Sequence, residues 1–317
     1  MKFTYTEKKD TRSGFGDALL ELGRENENIV ALTADLAGSV KMTAFAKEFP
    51  DRFFDVGIQE ANMMGMAAGF TIEGKIPFAS TFAEFATGRV YDQIRQSIAY
   101  SEKNVKICAS HAGLTVGEDG ATHQALEDIG MMKMLPGMVV INPCDYNQTY
   151  LATKAIAKHN GPVYLRFGRP KMPVFTPKDF DFEIGKAWMM QEGTDVTLIA
   201  TGHLVWPAVE ATEKLESEGI SVELINIHTI KPLDEEAILR SVKKTGSVVT
   251  VEEHNILGGL GESVARVLAT HFPVPQAFVG VNDVFGESGT AEELMEKHGL
   301  TSDGIIKKIK QVLKMKK

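Results

Sequence analysis

The stretch VGEDGATHQALED, residues 116–128, sets Asp119 four positions before His123, and His111 lies a short way upstream in SHAG. Two imidazoles and a carboxylate in loop-like sequence suit a polar substrate or acid–base site, because imidazole changes charge near neutral pH. A metal centre would need more ligands at tighter spacing, so no metal is assigned to this chain. Glu60, in DVGIQEANMM, opens a helical run. It is either a favourable charge at a helix amino terminus or, with Met63, Met64 and Met66 around it, a carboxylate in an apolar pocket. In such a pocket it could share a proton with a ring nitrogen. Phe82 and Phe85 in STFAEF are three apart; they form a packed core pair or an aromatic wall for a flat heterocycle. Arg169, in RFGRPKMP, has the planar fork that suits a phosphate, though a plain surface role is equally open. Ser39, just after Asp35, offers a hydroxyl to a site or a cap to a helix.

These residues need elements to hold them. Short β-rich runs alternate with helical patterns, which predicts an α/β chain of two domains, each a mainly parallel sheet flanked by helices. The first domain is expected over 1–170, with strands at 28–34, 52–57, 75–80, 104–110, 137–143 and 162–168. Helical periodicity covers 12–25, 59–70 and 89–100. Residues 171–190 carry prolines and no strong period, and are expected to be a linker. The second domain, 191–317, holds strands at 195–202, 221–227 and 246–254, helices at 207–219 and 261–272, and a closing surface helix rich in lysine.

Ligands of open parallel sheets bind outside the carboxyl ends of the strands. Asp35, Glu60, the two phenylalanines and His111 each follow a different predicted strand of the first domain. Four strands delivering polar or aromatic groups to one edge is a site rather than scatter. In the second domain Glu252, Glu253 and His254 precede the glycine-rich ILGGLGES, which lacks dinucleotide-binding spacing and reads as a tight turn and an interface.

The net charge of −8 over 317 residues argues against nucleic-acid binding. No apolar run approaches the roughly 18 residues of a membrane span, and MKFTYTEKKD has no secretion-signal core. Two cysteines, Cys108 and Cys144, without metal-like spacing fit a reducing cytoplasm.

Taken in order, ALTADL, DVGIQEANM, STFAEF, GEDGATHQALED, RFGRPKMP, IATG and VEEHN…GGLGESV resemble the carboxyl-terminal half of a transketolase. The resemblance implies that the first domain binds the aminopyrimidine of thiamine diphosphate and that Glu60 hydrogen-bonds this ring and promotes its imino form. It places Phe82 and Phe85 around the pyrimidine and Asp35 beside the thiazolium. Asp119 would hold a sugar hydroxyl, His123 would meet the reacting end of the donor, and Ser39, His111 and Arg169 would surround the sugar phosphate. One departure is Gly88, where an aromatic residue three positions past Phe85 is usual; Tyr91 is the nearest substitute. The chain has no Gly-Asp-Gly opening, so the Mg²⁺–diphosphate end is expected on a separate amino-terminal subunit. The implied species is a heterotetramer, transferring a two-carbon ketol unit between sugar phosphates only when both subunits are present. GEDGATH is shared with deoxyxylulose-phosphate synthases, and the fold and Glu with β subunits of 2-oxo acid dehydrogenases. These, and a non-catalytic binding module of the same fold, are the alternatives.

Overall fold

In the computed structural model, which describes residues 3–316, two sheets with helices on their faces account for most of the chain. Strands Ile29–Thr33 and Lys106–Ser110 are buried along their whole length. Continuous apolar runs of this kind form because helices cover both faces of a parallel sheet. The first sheet runs Val139–Ile141, Val163–Arg166, Lys106–Ser110, Ile76–Phe82, Ile29–Thr33, Phe53–Asp55, all parallel. The chain goes from Ile29–Thr33 outward to Phe53–Asp55, then returns to Ile76–Phe82 on the other side. That reversal opens a crevice at the carboxyl ends of the strands, the position where such sheets take ligands.

One strand crosses the expected division of the chain. Thr229–Lys231, from the second half, completes the first sheet antiparallel to Val139–Ile141. Its Ile230 is buried, so this edge is sealed by a short apolar piece that carries no period of its own. The second sheet runs Gln276–Val281, Val248–Asn255, Val196–Ala200, Val222–Asn226, Trp188–Gln191, with the last strand antiparallel.

The proline-containing stretch expected as a linker is tied down at both ends. Lys171–Pro173 pairs with Lys8–Asp10, and Trp188–Gln191 belongs to the second sheet. Between them, Asp145 binds the backbone N–H groups of Phe175 and Thr176 at 2.8 and 2.7 Å. The same carboxylate caps the helix Tyr146–Lys158 through Gln148 N at 2.8 Å, satisfying an end group that would otherwise be orphaned. The helical run 89–100 is wound in part as a π-helix over Ile94–Ala99, with Tyr100 N–H bonded to Arg95 O at 2.9 Å. Cys108 and Cys144 are buried free thiols, pushed up in pKa by that burial and so unreactive. Among the described residues no helix is long and apolar enough to cross a membrane.

Candidate active site

The crevice of the first sheet gathers most of the residues singled out from the sequence. Two loop ends are joined first: Asp55 Oδ1 accepts N–H bonds from Asp35 at 2.9 Å and from Gly57 at 3.1 Å. This fixes Asp35 against the turn that launches the helix Glu60–Phe70. Asp35 has φ 59°, a left-handed conformation that residues with a Cβ seldom adopt. His111 is held likewise, at φ 55°. Backbone strain of this kind persists only where the surroundings impose it, and it gathers at sites.

Glu60 is 3% exposed. Met63 and Met64 behind it are fully buried core residues. Among the described residues the carboxylate has one hydrogen-bond partner, Arg89, whose Nη1 donates to Oε1 at 2.9 Å. The Arg89 guanidinium also lies 4.2 Å over the ring of Phe85. Phe85 stacks 5.9 Å from Phe82 at 12°, and Phe82 in turn stacks on the His111 ring at 3.7 Å. His123 meets Phe85 edge-on at 5.2 Å. A buried carboxylate therefore stands next to an aromatic face, with two histidines bordering the same cluster. The sequence offered Tyr91 as the substitute for the aromatic absent at Gly88. Tyr91 instead packs against the hydrophobic core, and it is Arg89 that covers Phe85. No local pattern singles out Arg89; its partner is 29 residues away.

A basic group forms the other end of the site. Arg12, missed in the sequence because it sits in an ordinary helical run, donates to Ser39 O at 3.0 Å and to Arg169 O at 3.2 Å. Its Nη1 also lies 3.4 Å from His111 Nε2. Ser39, His111 and Arg169, scattered over 131 positions of sequence, are thus tied through one guanidinium. Burial, then the charges of Arg12, Arg169, His123 and Lys41, lowers His111 to about 3. The ring is therefore neutral: Nε2 accepts from the Arg12 guanidinium, which can only donate, and Nδ1–H is turned to Ser110 Oγ at 2.8 Å.

The acidic stretch divides its labour. Asp128 is fully buried, accepting from Tyr164 OH at 2.6 Å and Arg166 Nε at 2.7 Å; it is an anchor. Glu118 pairs with Arg169 at 3.3 Å, and Arg169 Nη1 also donates to Val116 O at 2.6 Å. Asp119 is exposed in the bend between Gly117 and Gly120, both left-handed at φ 86° and 77°. His123, half-buried, is turned toward the phenylalanines. The loop is held by its outer acids, and its Asp119 and His123 are left for contact with a ligand.

These residues fit an aminopyrimidine. Such a ring needs a carboxyl group that can share a proton with a ring nitrogen and an apolar plane to lie on. Glu60 and Phe85 supply both, and the partner of Glu60 is a half-exposed arginine.

The chain is similar to known proteins over nearly its whole length. The family model described as "Transketolase, pyrimidine binding domain" matches residues 7–174, and "Transketolase, C-terminal domain" matches 185–305. A Methanocaldococcus jannaschii protein, a transketolase C-terminal section by its description, is 48% identical, covering 96% of this chain and 97% of its own length. A 6-deoxy-6-sulfo-D-fructose transketolase subunit of a Clostridium species is 44% identical, covering 96% of this chain and 95% of that one. A solved structure described as "Split gene transketolase, inactive beta4 tetramer" superposes with a TM-score of 0.92 at 48% identity, covering 97% of this chain and 99% of that one. The chain belongs to the transketolase family, as the C-terminal section that joins its pyrimidine-binding and C-terminal domains.

Proposed function

We propose that this chain is the C-terminal subunit of a two-chain transketolase that moves a two-carbon ketol unit between sugar phosphates. The observation that carries the reading is the buried carboxylate of Glu60 beside the face of Phe85. Thiamine diphosphate, when bound, would supply the nucleophilic carbon and the electron sink that two-carbon transfer needs. Glu60 holds a proton between its carboxylate and the pyrimidine ring nitrogen, out of reach of solvent. Phe82 and Phe85 keep water from the ring, and Asp35 borders the thiazolium. Asp119 orients a sugar hydroxyl, and His123 handles a proton at the reacting end. Ser39, His111 and Arg169, with Arg12 behind them, hold the anionic end of the sugar.

The Mg²⁺–diphosphate end falls to an amino-terminal partner subunit, in a heterotetramer with two copies of each chain. Surface chemistry supports self-association. On the helix Glu60–Phe70 and its flanks, Ala61, Gly65 and Gly69 face solvent together with Ile58 at 72% and Ile72 at 71% exposure. An outer helix face this apolar, interrupted only by Asn62 among its described exposed residues, suits burial against a second copy. The related split-gene structure is described as an inactive tetramer of its β chain, which agrees with a chain that associates yet needs its partner to work. The buried free cysteines fit a reducing cytoplasm.

Two anionic groups on the sugar suit the basic cluster. One relative is described as acting on 6-deoxy-6-sulfo-D-fructose, and the Arg12–Arg169 cluster suits a sulfonate as well as a phosphate, both being tetrahedral oxyanions. The experiment is reconstitution with the partner subunit, thiamine diphosphate and Mg²⁺. Xylulose 5-phosphate with ribose 5-phosphate is set against 6-deoxy-6-sulfo-D-fructose and against pyruvate. Ketol transfer that requires both chains supports the proposal; turnover by this chain alone, or pyruvate decarboxylation instead, defeats it.

A further inference from the structure

The second domain contributes none of the residues assigned above, yet the ligand position of its own sheet is filled. Its chain passes from Val196–Ala200 to Val222–Asn226 on one side, then to Val248–Asn255 on the other. The crevice at the carboxyl ends beside that reversal is where such a sheet takes a ligand. His203 and Glu253 stand there, with ring Nδ1 3.7 Å from Oε2. Burial lowers His203 to about 3, so the ring is neutral.

What enters the crevice is a loop of the first domain. Thr115 N donates to Glu253 Oε1 at 2.7 Å. Gly113 passes so close that a Cβ there would lie 2.3 Å from the same oxygen. Glu253 is 3% exposed, and Arg166, which grips Asp128, also donates to its backbone oxygen at 2.9 Å. On the far side of the loop, Gln124 Nε2 donates to Glu287 O of the second domain at 2.9 Å and back to Gly117 O at 3.2 Å. Residues 115 and 124 are thus bonded to the second domain, and Asp119 and His123 lie between them. Three glycines in this stretch, 113, 117 and 120, are left-handed and give the loop little stiffness of its own. Internal turns, with Gly117 N–H on Leu114 O and His123 N–H on Gly120 O, set its path, and the bonds to the second domain fix where that path lies.

We propose that Glu253 is a positioning residue: through Thr115 it fixes the loop that presents Asp119 and His123, so that the second domain acts as a clamp on that loop. What the loop presents to a sugar rests on the transketolase reading; how the loop is held does not. A carboxylate that accepts a backbone N–H in a dry site makes a strong bond, and its loss leaves that N–H orphaned.

The test uses the full chain assembled with its partner, thiamine diphosphate and Mg²⁺, comparing Glu253→Ala with Glu253→Gln. Three readouts are taken: amide exchange over 113–124, cofactor titration, and kinetics with xylulose 5-phosphate and ribose 5-phosphate. Glu253→Ala is expected to speed exchange in the loop, leave cofactor affinity unchanged and lower kcat/KM by about 10²-fold, the cost of misplacing a contact residue. Glu253→Gln keeps an acceptor for Thr115 N and is expected to restore loop protection and most of the turnover relative to alanine. If the alanine variant fails to fold, Glu253→Asp, which keeps the charge but draws the acceptor back from Thr115 N, is expected to show the same loop-confined pattern. Unchanged exchange, or parallel loss of cofactor binding and turnover, would overturn the proposal. Should the wild-type assembly transfer no ketol unit, the enzymatic reading falls, while the exchange data still judge the clamp.

Discussion

Removing Arg89 tests the site at its centre. Its guanidinium both hydrogen-bonds Glu60 at 2.9 Å and lies 4.2 Å over Phe85. Those are the two contacts proposed for the aminopyrimidine, so the arginine and the ring compete for one place. A hydrogen bond between charged groups contributes about 1.5–3 kcal/mol when well shielded, and a stack on an aromatic face about 0.5–1 kcal/mol at an open site. The Arg89 side chain is 49% exposed, and solvent screening discounts the pair to a net of about 1–2 kcal/mol. Arg89→Ala is therefore expected to lower the stability of the cofactor-free assembly by about that amount, leaving a buried carboxylate without its partner. It should also tighten thiamine diphosphate binding by about 5–30-fold, since each 1.4 kcal/mol is tenfold. Near-ultraviolet circular dichroism follows the titration at fixed Mg²⁺, and thermal melts without cofactor follow stability. Arg89→Lys keeps the charge but loses the planar stack, and should fall between. Weaker cofactor binding in Arg89→Ala would refute the competition and make Arg89 part of the pocket wall.

Glu60→Gln removes the proton-sharing carboxylate but not the volume; in the reconstituted enzyme kcat should fall about 10²–10⁴-fold. Unaltered turnover would remove Glu60 from the chemistry. Arg12→Ala loosens Ser39, His111 and Arg169 together, so KM for a phosphorylated sugar should rise while cofactor affinity, measured by the same titration, holds. His111, His203 and His228 are lowered by burial to about 3, 3 and 4, against about 6.5 in an unfolded chain. Between those values the unfolded chain binds the extra protons, so these groups cost stability as pH falls below about 6.5. For His228 alone the loss from pH 7 to 5 is about 2 kcal/mol. Denaturant midpoints should thus fall more steeply over that range in the wild type than in His228→Gln, and equal slopes would count against a buried neutral ring.

The strand runs were legible because a buried parallel strand is a local, continuous apolar signal, and the residues that follow each strand lie at one edge whatever the packing. That is why Asp35, Glu60, Phe82, Phe85 and His111 could be placed together from sequence alone. The order of motifs added the family and its two domains. Other features had no local signature. Helix Tyr146–Lys158 escapes a reading of periodicity because its buried face includes Gln148, Thr149 and Thr153, polar types that blur the helical pattern. Thr229–Lys231 joins the first sheet through a three-residue pairing with a partner about 90 positions earlier, too short for any alternation to show.

Within the site, the acids of residues 116–128 looked alike in sequence. Burial separates them: Asp128 is an anchor because Arg166 and Tyr164 reach it from the next strand but one, whereas Asp119 sits in an exposed bend. Arg12, Arg89 and Glu253 each act on partners 27 to 157 residues away. The sequence by itself determined which elements form and which residues end them, since these follow from local periodicity and chain direction. Only the tertiary structure decided which charges are paired, which carboxylates are shut from water and what holds the acidic loop, because those depend on long-range contacts that composition and spacing do not encode.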